Sequence, residues 1–276
     1  MSEIEGLWRY DGRRVVVTGC ASGIGAQVVR QLTELGAHVV GLDKQPPQFG
    51  IAEFHHIELA DPASIERAAA SVGSQVDSLF NIAGVSSGIG NPLLVVTINF
   101  LGTRHLTEAL IPKMPTGSSV VSVSSLAASS YRDHQDAVAG LLHTETMQQG
   151  IEWCHRHPEA IADGGYRLSK EAIILYTMGQ TAALGAHGIR INCTGPGVTE
   201  TPILDQLRTR YGQQYLDDIS KPLGRVSHPS EQAAVLVFLN SRAASYITGQ
   251  VVWVDGGNIA AAVAHELEQR GAPWPA

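Results

Sequence analysis

The sequence predicts one α/β domain: a doubly wound parallel sheet of about seven strands with helices on both faces. Short, continuously apolar runs alternate along the chain with longer segments whose apolar residues recur at helical spacing, which is typical of strand–helix–strand units. The composition agrees with a buried sheet joined by tight turns, because 16% of the residues are charged, 44% are hydrophobic and 29 are glycine. Crossovers between successive parallel strands should be right-handed.

Seven segments are predicted to be strands. Each is a short run of apolar residues without strict alternation, as expected for a strand that is buried on both faces. These segments are Arg14–Thr18, His38–Leu42, Phe54–Leu59, Val76–Ile82, Ser119–Val123, Ile189–Cys193 and Gln250–Val254.

Five longer segments between the strands are predicted to be helices. Their apolar residues recur every three to four positions, as one face of a helix requires. The segments are Ile24–Leu35, Pro62–Val72, Leu93–Ile111, Leu168–Leu184 and Pro229–Leu239.

Two further segments need their own interpretation. Residues 131–163 contain Met147, Ile151 and Trp153 within a polar stretch, and are predicted to form a helical insertion. Residues 266–276, which include Trp274, are predicted to be an exposed C-terminal tail. No linker, repeat or low-complexity stretch divides the chain, so residues 1–276 are predicted to form one domain.

Charge and hydropathy argue against nucleic acid and membrane partners. The formal net charge is −7 with neutral histidines, which disfavours binding to polyanions. No apolar run approaches the ~18 residues that a membrane-spanning helix needs. The first residues show no basic and then apolar leader, so we expect a cytoplasmic protein.

The cysteines and histidines give no sign of a metal site. Cys20, Cys154 and Cys193 are far apart and form no C-x-x-C pair, so neither a disulfide framework nor structural zinc is expected. His155 and His157 lie near Cys154 but lack a partner at ligand spacing. This cysteine usage fits a reducing compartment.

A glycine-rich turn follows the first predicted strand and leads directly into a helix. Gly19 permits the tight turn, Gly23 lets the backbone approach a diphosphate, and Gly25 lets helix and strand pack closely. Ser22 and Ile24 lie at the helix N-terminus, whose N–H groups and dipole favour phosphate. The spacing predicts a Rossmann-like dinucleotide site, although a plain strand-to-helix turn can carry the same glycines.

Asp43, at the end of the second strand, favours NAD over NADP. A carboxylate there can accept hydrogen bonds from the adenine-ribose hydroxyls, and it would repel a 2′-phosphate. Lys44 is a mild counter-signal, because its ammonium group would attract that phosphate. The alternative for Asp43 is an acidic residue of a surface turn.

Tyr166 and Lys170 are the candidate catalytic pair. They are four residues apart, so a helix places them on one face, about one turn apart. An ordinary Tyr has a pKa near ~10 and is a poor base at pH 7, and a nearby ammonium should lower that pKa. Such a pair can act as general acid for carbonyl reduction and general base for alcohol oxidation. Because this spacing also occurs by chance, the prediction depends on the polar residues nearby.

The polar residues that support this prediction lie at the ends of neighbouring segments. Ser125 follows the fifth strand, at the sheet edge where α/β proteins bind ligands, and its hydroxyl can polarise a substrate carbonyl. Ser124 is the alternative, since neighbours in a strand point to opposite faces. Asn99 either holds a water for proton relay or bonds to the backbone within its helix.

Taken in order, these motifs resemble the short-chain dehydrogenase/reductase family over almost the whole chain. The resemblance implies that Tyr166 is the acid/base and that Lys170 tunes it and binds the nicotinamide ribose. It also implies that Ser125 binds the substrate oxygen and that Asn99 supports the proton relay. The motifs are Gly19–Gly25, Asn81–Gly84, Asn99–Gly102, Ser125, Tyr166 with Lys170, Pro196–Gly197 and Val254–Gly257.

The resemblance implies further cofactor contacts. The segment Pro196–Thr201 should meet the nicotinamide end, while Glu58 and Leu59 should bracket the adenine, with Glu58 where the family usually has Asp. Ile82 replaces a usual Asn and changes one sheet-stabilising contact. The cofactor-binding set is then Gly19, Ser22, Gly23, Ile24, Gly25, Asp43, Glu58, Leu59, Ala83, Gly84, Tyr166, Lys170, Pro196, Gly197, Thr199 and Thr201.

Later segments resemble one bacterial group of this family, the 3α-hydroxysteroid dehydrogenase/carbonyl reductases. The segments are Ile189–Pro202 and Ala243–Tyr246, together with the insertion that puts Tyr166 41 residues after Ser125. This resemblance implies hydride transfer between NAD(H) and a secondary alcohol or ketone on an apolar cyclic substrate. It also implies a homodimer or homotetramer.

The segment after the sixth strand is a candidate substrate lid. It spans Thr201–Arg225, includes Tyr211 and Tyr215, and could order when substrate binds. An alternative function is a broad carbonyl reductase or dihydrodiol dehydrogenase without a steroid role. A remote alternative is a non-catalytic NAD-binding protein. An enoyl reductase is disfavoured, since that branch of the family spaces its Tyr and Lys more widely.

Overall fold

The computed structural model describes residues 2–271, in which the apolar runs form one parallel sheet. The strands are β1 (Arg14–Thr18), β2 (His38–Asp43), β3 (Glu53–His56), β4 (Ser78–Asn81), β5 (Ser119–Val123), β6 (Arg190–Pro196) and β7 (Val251–Val254). Their order across the sheet is β3-β2-β1-β4-β5-β6-β7, and all six neighbouring pairs are parallel. The predicted parallel sheet of about seven strands is confirmed.

The helices between the strands cover both faces of the sheet, as predicted. Those on one side are α2 (Gly23–Glu34) and α11 (Pro229–Asn240), and those on the other include α3 (Pro62–Ser71), α5 (Thr103–Leu110) and α8 (Tyr166–Ala186). The remaining helices are α1 (Glu3–Trp8), α4 (Pro92–Val96), α6 (Gln135–Leu142), α7 (Met147–Arg156), α9 (Pro202–Tyr211), α10 (Gln213–Asp217) and α12 (Asn258–Gln269).

Strand β1 shows why the strands read as continuously apolar. Val15 and Val17 pack in the core beneath α2 and α11, whereas Val16 packs in the core beneath α3, α5 and α8. All three side chains are fully buried. A central strand with a core on each side must be apolar at every position.

The bounds of two strands differ from the predicted ones. Strand β3 ends at His56, not at Leu59, because the chain turns there: the Asp61 N–H donates to the Glu58 carbonyl ahead of α3. Strand β6 continues past Cys193 to Pro196 because its last four residues pair with β7. All other predicted strand and helix ends fall within two residues of the observed ones, except in Leu93–Ile111.

The predicted helix Leu93–Ile111 is three pieces: α4, a π-helical segment at Thr97–Gly102, and α5. The π segment brings Asn99 to the backbone of Val85 and sets Gly102 against the Leu59 carbonyl, where a Cβ would lie only 2.0 Å from the oxygen. Such wide turns are frequent at functional sites.

The chain ends differ from expectation. Residues 266–269, predicted as tail, complete helix α12, and within 266–271 all residues except the half-buried Leu267 are exposed. Trp274 and its neighbours at 272–276 lie outside the described residues. The short helix α1 went unpredicted, although Ser2 and Glu5 form the reciprocal hydrogen bonds of a capping box at its start.

Residues 131–163 contain α6 and α7, which lie against the core rather than in solvent. Helix α6 packs on α8, and α7 packs on the π-helical segment. Val138, Leu141, Met147 and Trp153 are buried in this contact. None of the helices within residues 2–271 is both long enough and apolar enough to cross a membrane.

Candidate active site

A cavity of about 480 Å³ opens at the carboxyl ends of β1, β4, β5 and β6. The order of the strands reverses between β1 and β4, and ligands of open α/β sheets bind at such a point. Fourteen of the predicted site residues line it: Gly19, Ser22, Gly23, Ile24, Gly25, Ala83, Gly84, Ser125, Tyr166, Lys170, Pro196, Gly197, Thr199 and Thr201.

The glycine-rich turn forms one wall of the cavity. Gly19 has a left-handed backbone with φ of 69°, and a Cβ there would lie 2.9 Å from the Ala83 backbone. A Cβ on Gly25 would lie 2.0 Å from the Gly19 carbonyl oxygen, so helix α2 can approach β1 this closely only with glycine. Ser22 precedes α2 without capping it through its side chain. The first N–H groups of a twelve-residue helix therefore meet the cavity wall.

Residue 82 departs from the family pattern, yet β1 and β4 remain tied together beside this turn. The Thr18 hydroxyl oxygen accepts the Ile82 N–H at 2.9 Å and the Ala83 N–H at 3.1 Å. The Asn81 side chain donates to the hydroxyls of Thr107 and Ser122.

Tyr166 and Lys170 lie on one face of α8, as predicted, since the helix begins at Tyr166. The Lys170 ammonium donates to the Val123 carbonyl at 2.8 Å and lies 5.7 Å from the centre of the Tyr166 ring. Burial lowers the pKa of Lys170 to about 8. The side chain is thus held beneath the tyrosine by the end of β5.

The pKa of Tyr166 differs from the expectation that Lys170 would lower it. Burial raises the pKa of the phenol, the Ser125 hydroxyl lowers it in part, and the nearby Tyr215 raises it. Burial prevails because Lys170 directs its ammonium to Val123 and is itself desolvated.

The structure distinguishes the two candidate serines. Ser125 lines the cavity together with Tyr166 and lowers the pKa of its phenol, and the Ser125 hydroxyl oxygen accepts the Ala127 N–H at 3.2 Å. The Ser124 hydroxyl donates to the Lys170 carbonyl at 2.7 Å, on the side of helix α8. Ser125 is therefore the serine next to the candidate acid/base, and Ser124 fastens α8 to the end of β5.

Asn99 lies behind the cavity rather than in its wall. Its amide oxygen accepts the Val85 N–H at 2.8 Å, and its amide nitrogen donates to the Val85 carbonyl and to the Ser169 hydroxyl. A Cβ on Gly84 would lie 3.0 Å from that oxygen and 3.6 Å from the Lys170 nitrogen. The amide bonds to the backbone, as the second interpretation held, but to Val85 in the loop after β4 and not to its own helix.

Three predicted cofactor residues are absent from the wall of the cavity. Asp43 accepts the Ala21 N–H at 3.0 Å, which places its carboxylate beside the glycine-rich turn. Glu58 pairs with Lys44, and Leu59 is buried in the core with 4% exposure.

The outer wall contains residues that the sequence did not single out. The predicted lid is folded as α9 and α10, and it closes on the turn Ser87–Ile89 through two contacts. The Ser86 hydroxyl donates to the Gln206 amide oxygen at 3.1 Å, and the Tyr211 hydroxyl donates to Ser87 at 3.0 Å. In the sequence, the position of Ser86 and Ser87 shortly after β4 was the signal that could have identified them as site residues. The apolar lining residues include Val85, Val123, Leu126, Ile203, Leu204, Leu207, Leu216 and Ile219.

Two protein-family models match the chain. The one described as the NAD dependent epimerase/dehydratase family matches residues 15–163, which carry the glycine-rich turn, Asn99 and Ser125. The one described as enoyl-(acyl carrier protein) reductase matches residues 159–259, which carry Tyr166 and Lys170.

Named proteins resemble the chain over nearly its full length. A coniferyl-alcohol dehydrogenase of Pseudomonas sp. is 33% identical, covering 89% of this chain and 96% of that protein. A 3-alpha-hydroxysteroid dehydrogenase/carbonyl reductase of Comamonas testosteroni is 32% identical, covering 88% and 95%. The crystal structure of a 3-alpha-hydroxysteroid dehydrogenase from Pseudomonas sp. B-0831 with NADH superposes with a TM-score of 0.77 at 29% identity, covering 95% and 100%. Fold, motif order and these relatives agree: the chain belongs to the short-chain dehydrogenase/reductase family of oxidoreductases.

Proposed function

We propose that the protein transfers a hydride between NAD(H) and a secondary alcohol or ketone on an apolar cyclic substrate. The observation that carries this proposal is the pair of hydroxyl residues, Tyr166 and Ser125, that line an otherwise largely apolar cavity. A carbonyl oxygen placed between two hydroxyl groups can receive a proton from one and a hydrogen bond from the other.

The residues of the cavity fit a dinucleotide. Gly19 and Gly25 allow close backbone packing where a Cβ would clash, and this packing sets the N–H groups that start α2 at the cavity. These would hold the diphosphate, Asp43 the adenine ribose, and the segment Pro196–Thr201 the nicotinamide end. When bound, this cofactor supplies or accepts the hydride at the nicotinamide ring. The relative whose crystal structure contains NADH supports NAD(H) as the cofactor.

The protein's own groups handle the proton. In the direction of reduction, Tyr166 gives its phenolic proton to the carbonyl oxygen as the carbonyl carbon accepts the hydride, so an alcohol forms. Ser125 orients that oxygen. Lys170 lies under the phenol and would bind the nicotinamide ribose, and Asn99 keeps Gly84 and Val85 in place beside Lys170.

The wall of the outer cavity favours a ring system over a charged chain. Leu126, Ile203, Leu207 and Ile219 supply apolar surface around the space next to Tyr166. Burying apolar rings there contributes about 25 cal/mol for each Å² removed from water. Two relatives are named for ring-containing alcohols, one for a hydroxysteroid and one for coniferyl alcohol.

A second candidate function is the dehydrogenation of an aromatic alcohol. The named relative at 33% identity is a coniferyl-alcohol dehydrogenase, whose substrate by name is an aryl-substituted allylic alcohol. Tyr166 and Ser125 would serve either substrate, and only the shape of the pocket differs. A broad carbonyl reductase remains the third possibility, while an enoyl reductase is disfavoured by the four-residue spacing of Tyr166 and Lys170.

A substrate panel tests this proposal. Purified protein would be assayed for NADH consumption or formation with steroid 3-ketones, cyclic terpenoid ketones, aryl diketones, and coniferyl alcohol with its aldehyde. We expect turnover with at least one cyclic class. A preference for steroids over small aryl ketones of less than a few-fold favours the broad reductase. Absence of turnover across the panel contradicts the proposal.

We also infer a homodimer or homotetramer, in keeping with the family resemblance. Light scattering coupled to size-exclusion chromatography measures the mass directly. A mass of 29.4 kDa, that of one chain, contradicts this inference.

A further inference from the structure

Lys44 is the cation that follows Asp43, the carboxylate that we assign to the adenine ribose. Asp43 is held in place by its bonds from the Ala21 N–H at 3.0 Å and the Lys44 N–H at 2.7 Å. The flexible four-carbon side chain of Lys44 therefore starts beside the ribose position. An ammonium group with this reach would ordinarily attract a 2′-phosphate and weaken the discrimination by Asp43.

The structure gives that ammonium group another partner. The Lys44 nitrogen lies 2.6 Å from a carboxylate oxygen of Glu58. The His56 ring nitrogen lies 4.0 Å from the other carboxylate oxygen. Glu58 thus stands between two basic side chains at the edge of the adenine-ribose region.

The sheet fixes this pairing. Asp43 and His56 are opposite each other in the parallel register of β2 and β3, so the residues just beyond both strand ends are neighbours. The Glu58 backbone is held on both sides: its N–H donates to the Ser64 hydroxyl, and its carbonyl accepts the Asp61 N–H. The hydrogen-bonded turn therefore holds the Glu58 carboxylate next to Lys44.

We propose that Glu58 strengthens the preference for NAD(H) over NADP(H) by pairing with Lys44 and so keeping its ammonium group from a 2′-phosphate. This inference rests on the proposed function, because it assigns the ribose to Asp43. It gives Glu58 a role separate from contact with the adenine. Asp43 discriminates by direct repulsion, and Glu58 withdraws the one nearby lysine that would offset it.

The expected effect is modest because the pair is exposed. The Lys44 side chain is 56% exposed and that of Glu58 is 37% exposed. Exposed pairs of this kind are weak, so releasing Lys44 should improve NADPH binding by about two- to fivefold relative to NADH. Asp43 remains in place and keeps NADH the preferred ligand.

Binding measurements on four proteins and one control variant test the inference. Dissociation constants for NADH and NADPH would be measured by nucleotide fluorescence for the wild type, Glu58→Gln, Lys44→Met and the double variant. Glu66→Gln serves as the control, since it removes the same charge from an exposed position on α3, where Glu66 pairs with His105.

We expect Glu58→Gln to lower the NADPH/NADH ratio of dissociation constants about two- to fivefold. The same substitution should leave the ratio unchanged when Lys44 is already Met, and Glu66→Gln should not change it. An unchanged ratio in Glu58→Gln, or an equal change in the Lys44→Met background, overturns the inference. If Glu58→Gln weakens the binding of NADH and NADPH equally, the inference is overturned too, and Glu58 instead contacts the adenine. If the wild type binds neither dinucleotide, the proposed function itself is wrong and this inference falls with it.

Discussion

Ser124 and Ser125 show how two adjacent hydroxyls take different roles at the residue scale. Ser125 lines the cavity together with Tyr166, whereas the Ser124 hydroxyl donates to the Lys170 carbonyl on the side of α8. The alternation of side chains along a strand produces this division at the end of β5. One hydroxyl is available to a substrate oxygen and the other joins strand to helix.

Alanine substitutions should separate these roles. Ser125→Ala is expected to lower kcat/KM by about 10²-fold, because it removes a hydrogen bond to the reacting oxygen, while stability changes little. Ser124→Ala is expected to lower the free energy of unfolding by about 0.5–1.5 kcal/mol, because a buried hydrogen bond is lost. Steady-state kinetics and urea denaturation of both variants measure this. Equal activity losses in the two would contradict the assignment.

Lys170 carries a dependence of stability on pH. Burial lowers its pKa from 10.5 to about 8, so between those values the unfolded chain binds more protons here than the folded protein does. Stability from this group therefore increases as pH rises through the window. Lys170→Met removes the ionisation, so the stability of the variant relative to wild type should be greater at pH 7 than at pH 10, by about 1–3 kcal/mol. Urea denaturation at both pH values tests it, and a difference independent of pH would count against a buried, desolvated lysine.

The raised pKa of Tyr166 is a residue property that the sequence could not predict. Four-residue spacing places Lys170 near the phenol, but the balance between burial and charge depends on side chains from β5 and the lid. Similarly, the choice between Ser124 and Ser125 needed the position of α8. Sequence reasoning identified the chemical groups, and tertiary packing decided their partners.

At the scale of elements, the insertion is fastened to the catalytic helix by charge as well as by apolar contact. The Glu171 carboxylate on α8 has no exposure, and it lies 2.6 Å from the His134 ring nitrogen and 3.1 Å from Arg167. Arg167 also pairs with Asp163 at 2.8 Å. The residues just before α6 and just before α8 are thus tied to the turn of helix that follows Tyr166.

Neutralising Glu171 should loosen this attachment. Glu171→Gln keeps the shape but removes the buried charge, and we expect it to lower the free energy of unfolding by about 1–3 kcal/mol. This figure is reduced for solvent screening, because His134 and Arg167 are each 36% exposed. Glu152→Gln, at an exposed position on α7 in the same insertion, should have almost no effect. Thermal or urea denaturation of both variants provides the measurement. Equal stabilities for the two would show that the buried carboxylate does not hold the insertion.

Elements were predicted best where local pattern and tertiary burial agree. The buried strands β1, β2 and β5 match their apolar runs closely, since each strand has a core on both faces. The edge strand β3 carries Glu53 and two histidines, so its pattern gave the wrong end. The π-helical segment was missed because Asn99 and Gly102 stabilise it through partners distant in sequence, namely Val85 and Leu59.

At the scale of the whole molecule, the order of the strands assembles the site. Residues from the ends of β1, β4, β5 and β6, and from the start of α8, meet in one cavity although they lie far apart in sequence. The alternation of strands and helices predicted this gathering, since parallel strands all end at the same edge. The alternation of strands and helices could not predict that the lid contacts Ser86 and Ser87, because these contacts join two loops that share no sequence pattern.

The most direct test of the account is turnover by Tyr166→Phe compared with wild type, using the best substrate from the panel and NADH. Binding of NADH would be measured in parallel by fluorescence. The account predicts that kcat falls by about 10²- to 10⁴-fold, because the proton donor is lost, while the dissociation constant of NADH changes no more than about twofold. A variant that keeps kcat within tenfold of wild type would contradict the assignment of Tyr166 as the acid/base.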